Sequence, residues 1–186
     1  MDQLVDYIYE IGVMKRRPIM GFDHFMSQQT SSLASHSHRA AMIGMILADL
    51  ERADLYKVVL MLVIHETAEV RVGDTDMVAG HYRDSADSES RAVEDQLGKL
   101  PTTLAAVLRE LYHEHDQSES LEAKVAKDAS LLEHAFSARE YLDQGVQAAG
   151  AWLEIEGYLR TESGKAMLRA LRERDSKLWW VSLNTK

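Results

Sequence analysis

Apolar residues recur at intervals of three and four along most of the chain, which places them on one face of an α-helix. Strand-like alternation of apolar and polar residues is absent, and proline occurs only at Pro18 and Pro101. The pattern therefore predicts an all-α protein. Six of the predicted helices cover residues 2–15, 33–52, 88–97, 101–115, 118–142 and 149–173. A further helix, the third in chain order, carries the Val58 run and is predicted to end near residue 70.

The longest apolar run, Val58 to Ile64, leads directly into His65, Glu66 and Glu69. On one continuous helix, His65 and Glu69 share the stripe of Val58 and turn toward the core. Titratable groups at the edge of a dry core are costly unless they are paired or bound to a metal. The sequence thus indicates that this stretch carries the chemistry of the protein.

Two other predicted helices also place a titratable group on an apolar stripe. His36 opens the stripe of 33–52, and Asp128 takes an apolar position in 118–142. Each residue alone has a structural alternative, such as a hydrogen-bonded core histidine, or an aspartate paired with Lys124 or Lys127. Imidazoles and carboxylates from three helices together predict a site for one divalent ion such as Mn, Co, Fe, Zn or Mg.

The composition excludes several classes of function. The formal net charge is −9 without a basic stripe, which argues against a nucleic-acid polymer as partner. There is no cysteine, the N-terminus lacks the features of a signal peptide, and no apolar run is long enough to span a membrane. These features predict a cytoplasmic protein that does not bind membranes.

Three further motifs have simple interpretations. The run H-E-T-A-E has Glu69 where a zinc protease of the H-E-x-x-H type requires a second histidine, so a protease is not indicated. His113 and His115 lie on a polar helix end and are expected at the surface. Arg16 and its neighbour form either a helix-terminal charge pair or a clamp for phosphate.

Three segments resemble the HD-domain superfamily of metal-dependent phosphohydrolases, and more narrowly the branch that contains bacterial 5′-deoxynucleotidases. They read S-L-A-S-H-S-H-R-A-A, I-H-E-T-A-E-V-R-V-G-D-T and A-K-V-A-K-D-A-S-L-L-E. The stretch K-R-R-P-I-M-G-F is similar to a phosphate-contacting K-R-x-P stretch of that branch. The resemblance implies a single HD-type domain, with its core at about 14–145 and a helical tail at 146–186.

The resemblance also implies roles for individual residues. His36, His65 and Asp128 match metal ligands, and Glu69 matches a glutamate implicated in proton transfer. Asp74 matches an aspartate at the sugar end of the site, and Arg16 matches the arginine that holds the substrate phosphate.

Two positions depart from the family pattern. Glu66 stands where the family has the aspartate of its name, and it either ligates the metal through its longer side chain or turns away to another partner. Ser130 stands where relatives often carry another aspartate.

The function implied is hydrolysis of a phosphomonoester, with a nucleoside 5′-monophosphate as the expected small-molecule substrate. The alternative is a non-catalytic metal or nucleotide sensor in which Glu66 has impaired the chemistry. The resemblance also allows a homodimer.

Overall fold

The computed structural model describes residues 1–26, 31–82 and 86–184. Within these ranges the protein is all-α, as predicted, and forms no strand beyond an isolated bridge between Pro18 and Ser32. The α-helices are α1 (Asp2–Ile11), α2 (Leu33–Glu51), α3 (Leu55–Ile64), α4 (Glu69–Val72), α5 (Met77–Gly80), α6 (Ala86–Leu97), α7 (Thr102–Gln117), α8 (Leu121–Asp143), α9 (Glu162–Arg172) and α10 (Leu178–Asn184).

Short polar side chains fix the starts of the main helices. Ser32 and Ser35 form a reciprocal capping box at the start of α2, and Asp54 accepts hydrogen bonds from two backbone N–H groups of α3. Ser120 caps α8 and Thr161 caps α9 in the same way. These caps satisfy N–H groups that a helix cannot pair internally, so each helix begins at a defined residue.

The core lies where α2, α3 and α8 pack together. Leu47, Met61, Leu62 and Leu132 are fully buried there. Gly44 allows α2 and α3 to approach closely, because a Cβ at this position would collide with the Leu62 side chain. This packing fixes the helices that carry the titratable residues.

The prediction that the helix carrying the Val58 run continues to residue 70 is wrong in its second half. α3 ends at Ile64, residues 65–68 form turns, and a separate short helix, α4, starts at Glu69. His65 and Glu66 therefore occupy a break in the helix, so that their side chains are not confined to the stripe on which α3 packs.

The C-terminal part also differs from the single amphipathic helix predicted for 149–173. It consists of 3₁₀ segments at Gln147–Leu153 and Glu156–Tyr158, followed by α9. Leu153, Ile155 and Leu168 nevertheless belong to the apolar cluster of α2, α3 and α8. In the described part of the chain, no helix combines the length and apolar composition needed to cross a lipid bilayer.

Candidate metal centre

His36 lies in the first turn of α2 with its side chain fully buried. Its Nδ1 atom is 2.5 Å from Glu133 Oε2, and Arg39 donates hydrogen bonds of 3.0 and 2.7 Å to Glu133 Oε1. Burial would lower the pKa of His36, but the hydrogen bond and charge of Glu133 outweigh it and raise this pKa. Because Glu133 engages Nδ1, His36 presents Nε2 to the site.

His65 directly follows α3. Its Nδ1 donates to the Leu62 carbonyl at 2.8 Å, which turns Nε2 toward Glu66. Glu66 Oε1 is 3.1 Å from His65 Nε2 and 3.8 Å from His36 Nε2. Burial would raise the pKa of Glu66, but the two histidines outweigh it and lower this pKa to about 2. Two imidazole nitrogens and one carboxylate oxygen thus converge on one point.

This cluster of His36, His65 and Glu66, called the metal cluster below, fits a divalent ion. Its ligating atoms lie within 4.8 Å of one another. His65 Nε2 is buried without a hydrogen-bond partner, because its approach to Glu66 lacks hydrogen-bonding geometry. Histidines oriented through Nδ1 by a carboxylate and a backbone carbonyl are typical of metal ligands. Three protein ligands leave coordination positions open, as in catalytic sites.

Two other groups of side chains have metal-like spacing, but their atoms have other partners. In the group of His36, Glu133 and His134, the Nδ1 atom of His134 is 3.0 Å from the Ser130 carbonyl oxygen. In the group of Asp23, His24 and Asp76, the two aspartates accept backbone hydrogen bonds from Gly21 and from the first turn of α5. Of the three groups, the metal cluster is therefore the best candidate for a metal site.

The structure corrects the expectation that Asp128 shares an ion with the histidines. Asp128 is fully buried on α8, and its carboxylate accepts hydrogen bonds from Arg160 N, Thr161 N and Thr161 Oγ1 at 2.6–3.1 Å. A Cβ at Gly164 would lie 2.6 Å from Asp128 Oδ2, so the start of α9 fits closely over this carboxylate. Asp128 anchors the C-terminal segment and is absent from the groups with metal-like spacing.

Ser130 of α8 contacts the metal cluster at the Nε2 atom of His36. Its Oγ atom is 3.3 Å from His36 Nε2. Two residues along an α-helix turn the side chain by roughly 200°, which is why Asp128 and Ser130 lie on opposite sides of α8. The position that faces the cluster therefore carries a neutral hydroxyl.

Glu69 and Asp74 lie beside the metal cluster. Burial raises the pKa of Glu69 to about 9, with further contributions from the negative charges of Glu66, Glu89 and Asp74. Glu69 Oε2 is buried without a hydrogen-bond partner. Asp74 accepts a 2.6 Å hydrogen bond from Met20 N, and burial raises its pKa as well.

A cleft of about 860 Å³ opens over these residues. Its walls come from the segment after α3, from α6, α7 and α8, and from the chain just before α9. The lining residues that bear on the chemistry are His65, Glu66, Glu69, Asp74, Glu89, Tyr112, His115, Lys127, Ser130 and Arg160. A cleft of this size can enclose a nucleotide-sized ligand.

Arg16 is not among the described residues that line this cleft. It is exposed at the end of the 3₁₀ segment Gly12–Lys15, and its neighbour Arg17 donates a 3.2 Å hydrogen bond to the Val70 carbonyl. The phosphate-binding role of Arg16 stays a prediction.

Several neighbours of the metal cluster were missed by the sequence interpretation. Glu133 and His134 lie one turn beyond Ser130 on α8. The His134 ring stacks on Trp152 at a centroid distance of 5.1 Å and meets the His36 ring in a tilted contact at 4.7 Å. The helical spacing from Ser130 is the signal that could have found them.

His115 was expected at the surface, and this expectation was wrong. Its ring is half-buried with its centroid 5.7 Å from that of His65, and burial lowers its pKa to about 3. A lone histidine near a polar helix end gives no sequence signal for this position.

The chain is similar to known proteins in sequence and in fold. The family model described as "HD domain" matches residues 15–170. The human 5′-deoxynucleotidase HDDC2 is 29% identical over 143 residues, which cover 75% of this chain and 69% of that protein.

Two solved structures show the same fold. A protein from Pyrococcus horikoshii has a TM-score of 0.77 at 24% identity, covering 91% of this chain and 96% of its own. A protein from Magnetospirillum magnetotacticum, described as a predicted metal-dependent phosphohydrolase, has a TM-score of 0.67 at 23% identity, covering 91% and 92%.

Proposed function

Since the chain belongs to the HD domain family and is a metal-dependent phosphohydrolase, we propose that its substrate is a nucleoside 5′-monophosphate. The observation that carries the proposal is the convergence of His36 Nε2, His65 Nε2 and Glu66 Oε1 beside a nucleotide-sized cleft. The similarity to a 5′-deoxynucleotidase supports the nucleotide as substrate.

The metal cluster would hold one divalent ion, whose chemistry is to activate water and to neutralise charge on a phosphoryl oxygen. Two nitrogens and one carboxylate oxygen suit Zn, Co, Fe or Mn better than Mg, which prefers an all-oxygen environment. Glu133 and the Leu62 carbonyl engage the Nδ1 atoms of the two histidines and so orient both Nε2 atoms toward Glu66.

Glu69 is suited to donate a proton. Burial raises the pKa of Glu69, so its carboxyl group holds a proton more readily than an exposed glutamate and can protonate the leaving sugar oxygen. Asp74 holds the backbone of Met20 next to the same cleft and would help to orient the sugar. Positioning and electrostatic stabilisation supply most of the catalysis in phosphoryl transfer.

The alternative of a non-catalytic sensor depended on Glu66 turning away from the site. Glu66 instead faces both imidazoles, while the arginines that could have paired with it bind other carboxylates. Arg39 pairs with Glu133 and Glu140, and Arg71 pairs with Glu10 and Asp95. This geometry supports an enzymatic function rather than a sensor.

The test is phosphate release from nucleoside 5′-monophosphates and their 2′-deoxy forms, after chelation and addition of Mn, Co, Fe, Zn or Mg separately. We expect release with at least one metal, and its loss together with metal binding in His65→Ala. Tight metal binding by the wild type without hydrolysis of any nucleotide would contradict the proposal.

A homodimer remains part of the proposal. The outer faces of α2 and α3 expose Met42, Ile46, Leu50, Leu60 and Val63, and these neighbouring helices offer an apolar surface to a second copy. Sedimentation of the wild type and of Leu50→Glu tests this assembly. The cytoplasm likewise remains the predicted location.

A further inference from the structure

Charge is distributed unevenly around the cleft. Glu69 and Asp74, together with Glu89 of α6, make one side acidic. The end of α7, the first half of α8 and the chain before α9 contribute the cations Lys127 and Arg160, together with the imidazole of His115 and the carboxylate of Asp116. We call Lys127, Arg160 and His115 the basic end.

Lys127 is the central residue of the basic end. It lies three residues before Ser130 on α8, and side chains at this spacing share one face of a helix. Because Ser130 Oγ contacts His36 Nε2 at 3.3 Å, Lys127 stands one helical turn from the metal cluster. Both side chains line the cleft.

The ammonium group of Lys127 has no carboxylate partner among the described residues, although Lys57, Lys99 and Lys165 each form an ion pair. The side chain is half-buried, and burial lowers its pKa. A desolvated cation without a counter-ion is costly, so its presence in a cleft favours the binding of an anion there.

Arg160 and His115 complete the basic end. Arg160 N donates to both oxygens of Asp128 at 2.9 and 3.1 Å, and its Nη1 donates to the Ser118 carbonyl at 2.8 Å. This anchorage holds the guanidinium beside the cleft and leaves further N–H groups for a ligand. His115 Nε2 is buried without a hydrogen-bond partner and can bond to a phosphoryl oxygen.

We infer that the basic end, with Lys127 as its main contact, is the phosphate-binding subsite of the cleft, so that the nucleotide's phosphate spans from Lys127 to the metal cluster. The inference rests on the proposed function for the identity of the anion. It also gives Asp128 a positioning role, because its carboxylate fixes the backbone that carries Arg160.

The experiment compares Lys127→Met with Lys127→Arg, which keeps the charge, and with Lys124→Met. Lys124 lies one turn earlier on α8 and is not among the described residues that line the cleft. Binding of inorganic phosphate is measured by calorimetry on metal-loaded protein, and KM and kcat are measured with the best nucleotide of the panel. Metal affinity and thermal melting are recorded for each variant.

We expect Lys127→Met to weaken phosphate binding and to raise KM by about tenfold to a hundredfold, as for the loss of a hydrogen bond to a charged group. Lys127→Arg should stay within severalfold of the wild type, and Lys124→Met should be unchanged. Binding of the corresponding nucleoside, which lacks the phosphate, should not respond to Lys127→Met.

The outcomes separate the two proposals. If the wild type hydrolyses nucleotides but Lys127→Met retains its phosphate affinity and KM, the subsite is overturned while the proposed function stands. If no nucleotide is hydrolysed and Lys127→Met still loses phosphate affinity, the subsite stands without the proposed substrate. Lys127→Gln replaces Lys127→Met if the methionine variant does not fold.

Discussion

At the scale of single residues, the metal cluster offers one negative charge to a cation. Its one carboxylate is Glu66, and the position that faces it from α8 is the neutral Ser130. Glu133 is close, but its oxygens are engaged by His36, Arg39 and Ser137. The ion is therefore expected to bind less tightly than in a site with two carboxylate ligands.

Ser130→Asp should tighten metal binding by about tenfold or more, because it adds a carboxylate oxygen where the Ser130 hydroxyl now meets His36 Nε2. Competition with a chromogenic chelator measures the change. Ser130→Asn is the matched control, since it has the shape of aspartate without the charge. Equal affinities of the two variants would show that charge at this position does not govern metal binding.

Glu69→Gln should lower kcat by roughly 10²–10⁴ if Glu69 transfers a proton, while metal affinity stays near that of the wild type. Glutamine keeps the size of the side chain but cannot donate the carboxyl proton. Glu89→Gln removes another carboxylate of the same cleft and should change kcat by only severalfold. Unchanged turnover in Glu69→Gln would assign Glu69 a structural role.

The periodicity of the sequence placed His36 and His65 on core-facing stripes, whereas Glu66 was named only through the resemblance to the HD pattern, which left open whether it ligates the metal. The sequence was not sufficient to choose between Asp128 and Ser130. Both lie in one helix, and the choice depends on which face of α8 turns toward His36. That rotation is set by packing against α2 and α3, and a single sequence does not show it.

At the scale of elements, the break after α3 decides how the metal cluster is built. The apolar run of α3 continued so evenly into His65 that the periodicity predicted one helix to Val70. In the structure, Thr67 Oγ1 donates to the Ile64 carbonyl at 2.9 Å and Tyr112 donates to the same carbonyl at 2.7 Å. Tyr112 is distant in sequence, so the end of α3 is a tertiary effect.

A second element-scale feature is the attachment of α1. Glu10, at the end of α1, accepts hydrogen bonds from Arg71 of α4, and from Gln96 and Lys99 at the end of α6. The hydrogen bond with Arg71 contributes most to lowering the pKa of Glu10 to about 2. The charged form of Glu10 therefore stabilises the folded state above pH 4.5, and this contribution is lost as the pH falls from about 4.5 to 2.

Glu10→Gln should lower the free energy of unfolding at pH 7 by about 1–3 kcal/mol, the magnitude for hydrogen bonds to a charged group. The difference from the wild type should shrink as the pH falls below 4.5, because the wild-type carboxylate then becomes protonated. Urea unfolding at a series of pH values measures both effects. The exposed Glu119→Gln is the control, and a difference independent of pH would exclude the proposed ion cluster as its cause.

At the scale of the whole molecule, the net charge is −9, but the cationic side chains of Lys127 and Arg160 line one part of the cleft. The acidic composition argued against a surface for a long polyanion, but a small anion needs only a few cations at one place. Lys127 and Arg160 are 33 residues apart in sequence and line the same cleft, where Asp128 anchors the backbone of Arg160. Composition could not reveal this proximity, since the C-terminal segment had been expected to form one amphipathic helix.

The ring contacts from Trp152 through His134 to His36 place a natural fluorophore next to the metal cluster. Trp152 lies with its ring 16° from the plane of His134, which in turn contacts the metal ligand His36. The other two tryptophans, Trp179 and Trp180, are 66% and 56% exposed, so Trp179→Phe/Trp180→Phe leaves one emitter at the site.

Metal titration of that double variant should change the emission of Trp152 in proportion to occupancy, because a cation at His36 alters the charge felt by the stacked rings. Calorimetry run in parallel gives the occupancy independently. Saturable metal binding without any change in emission would show that Trp152 is not coupled to the site. A change in emission would allow fluorescence to follow metal loading in real time, without added dye or substrate.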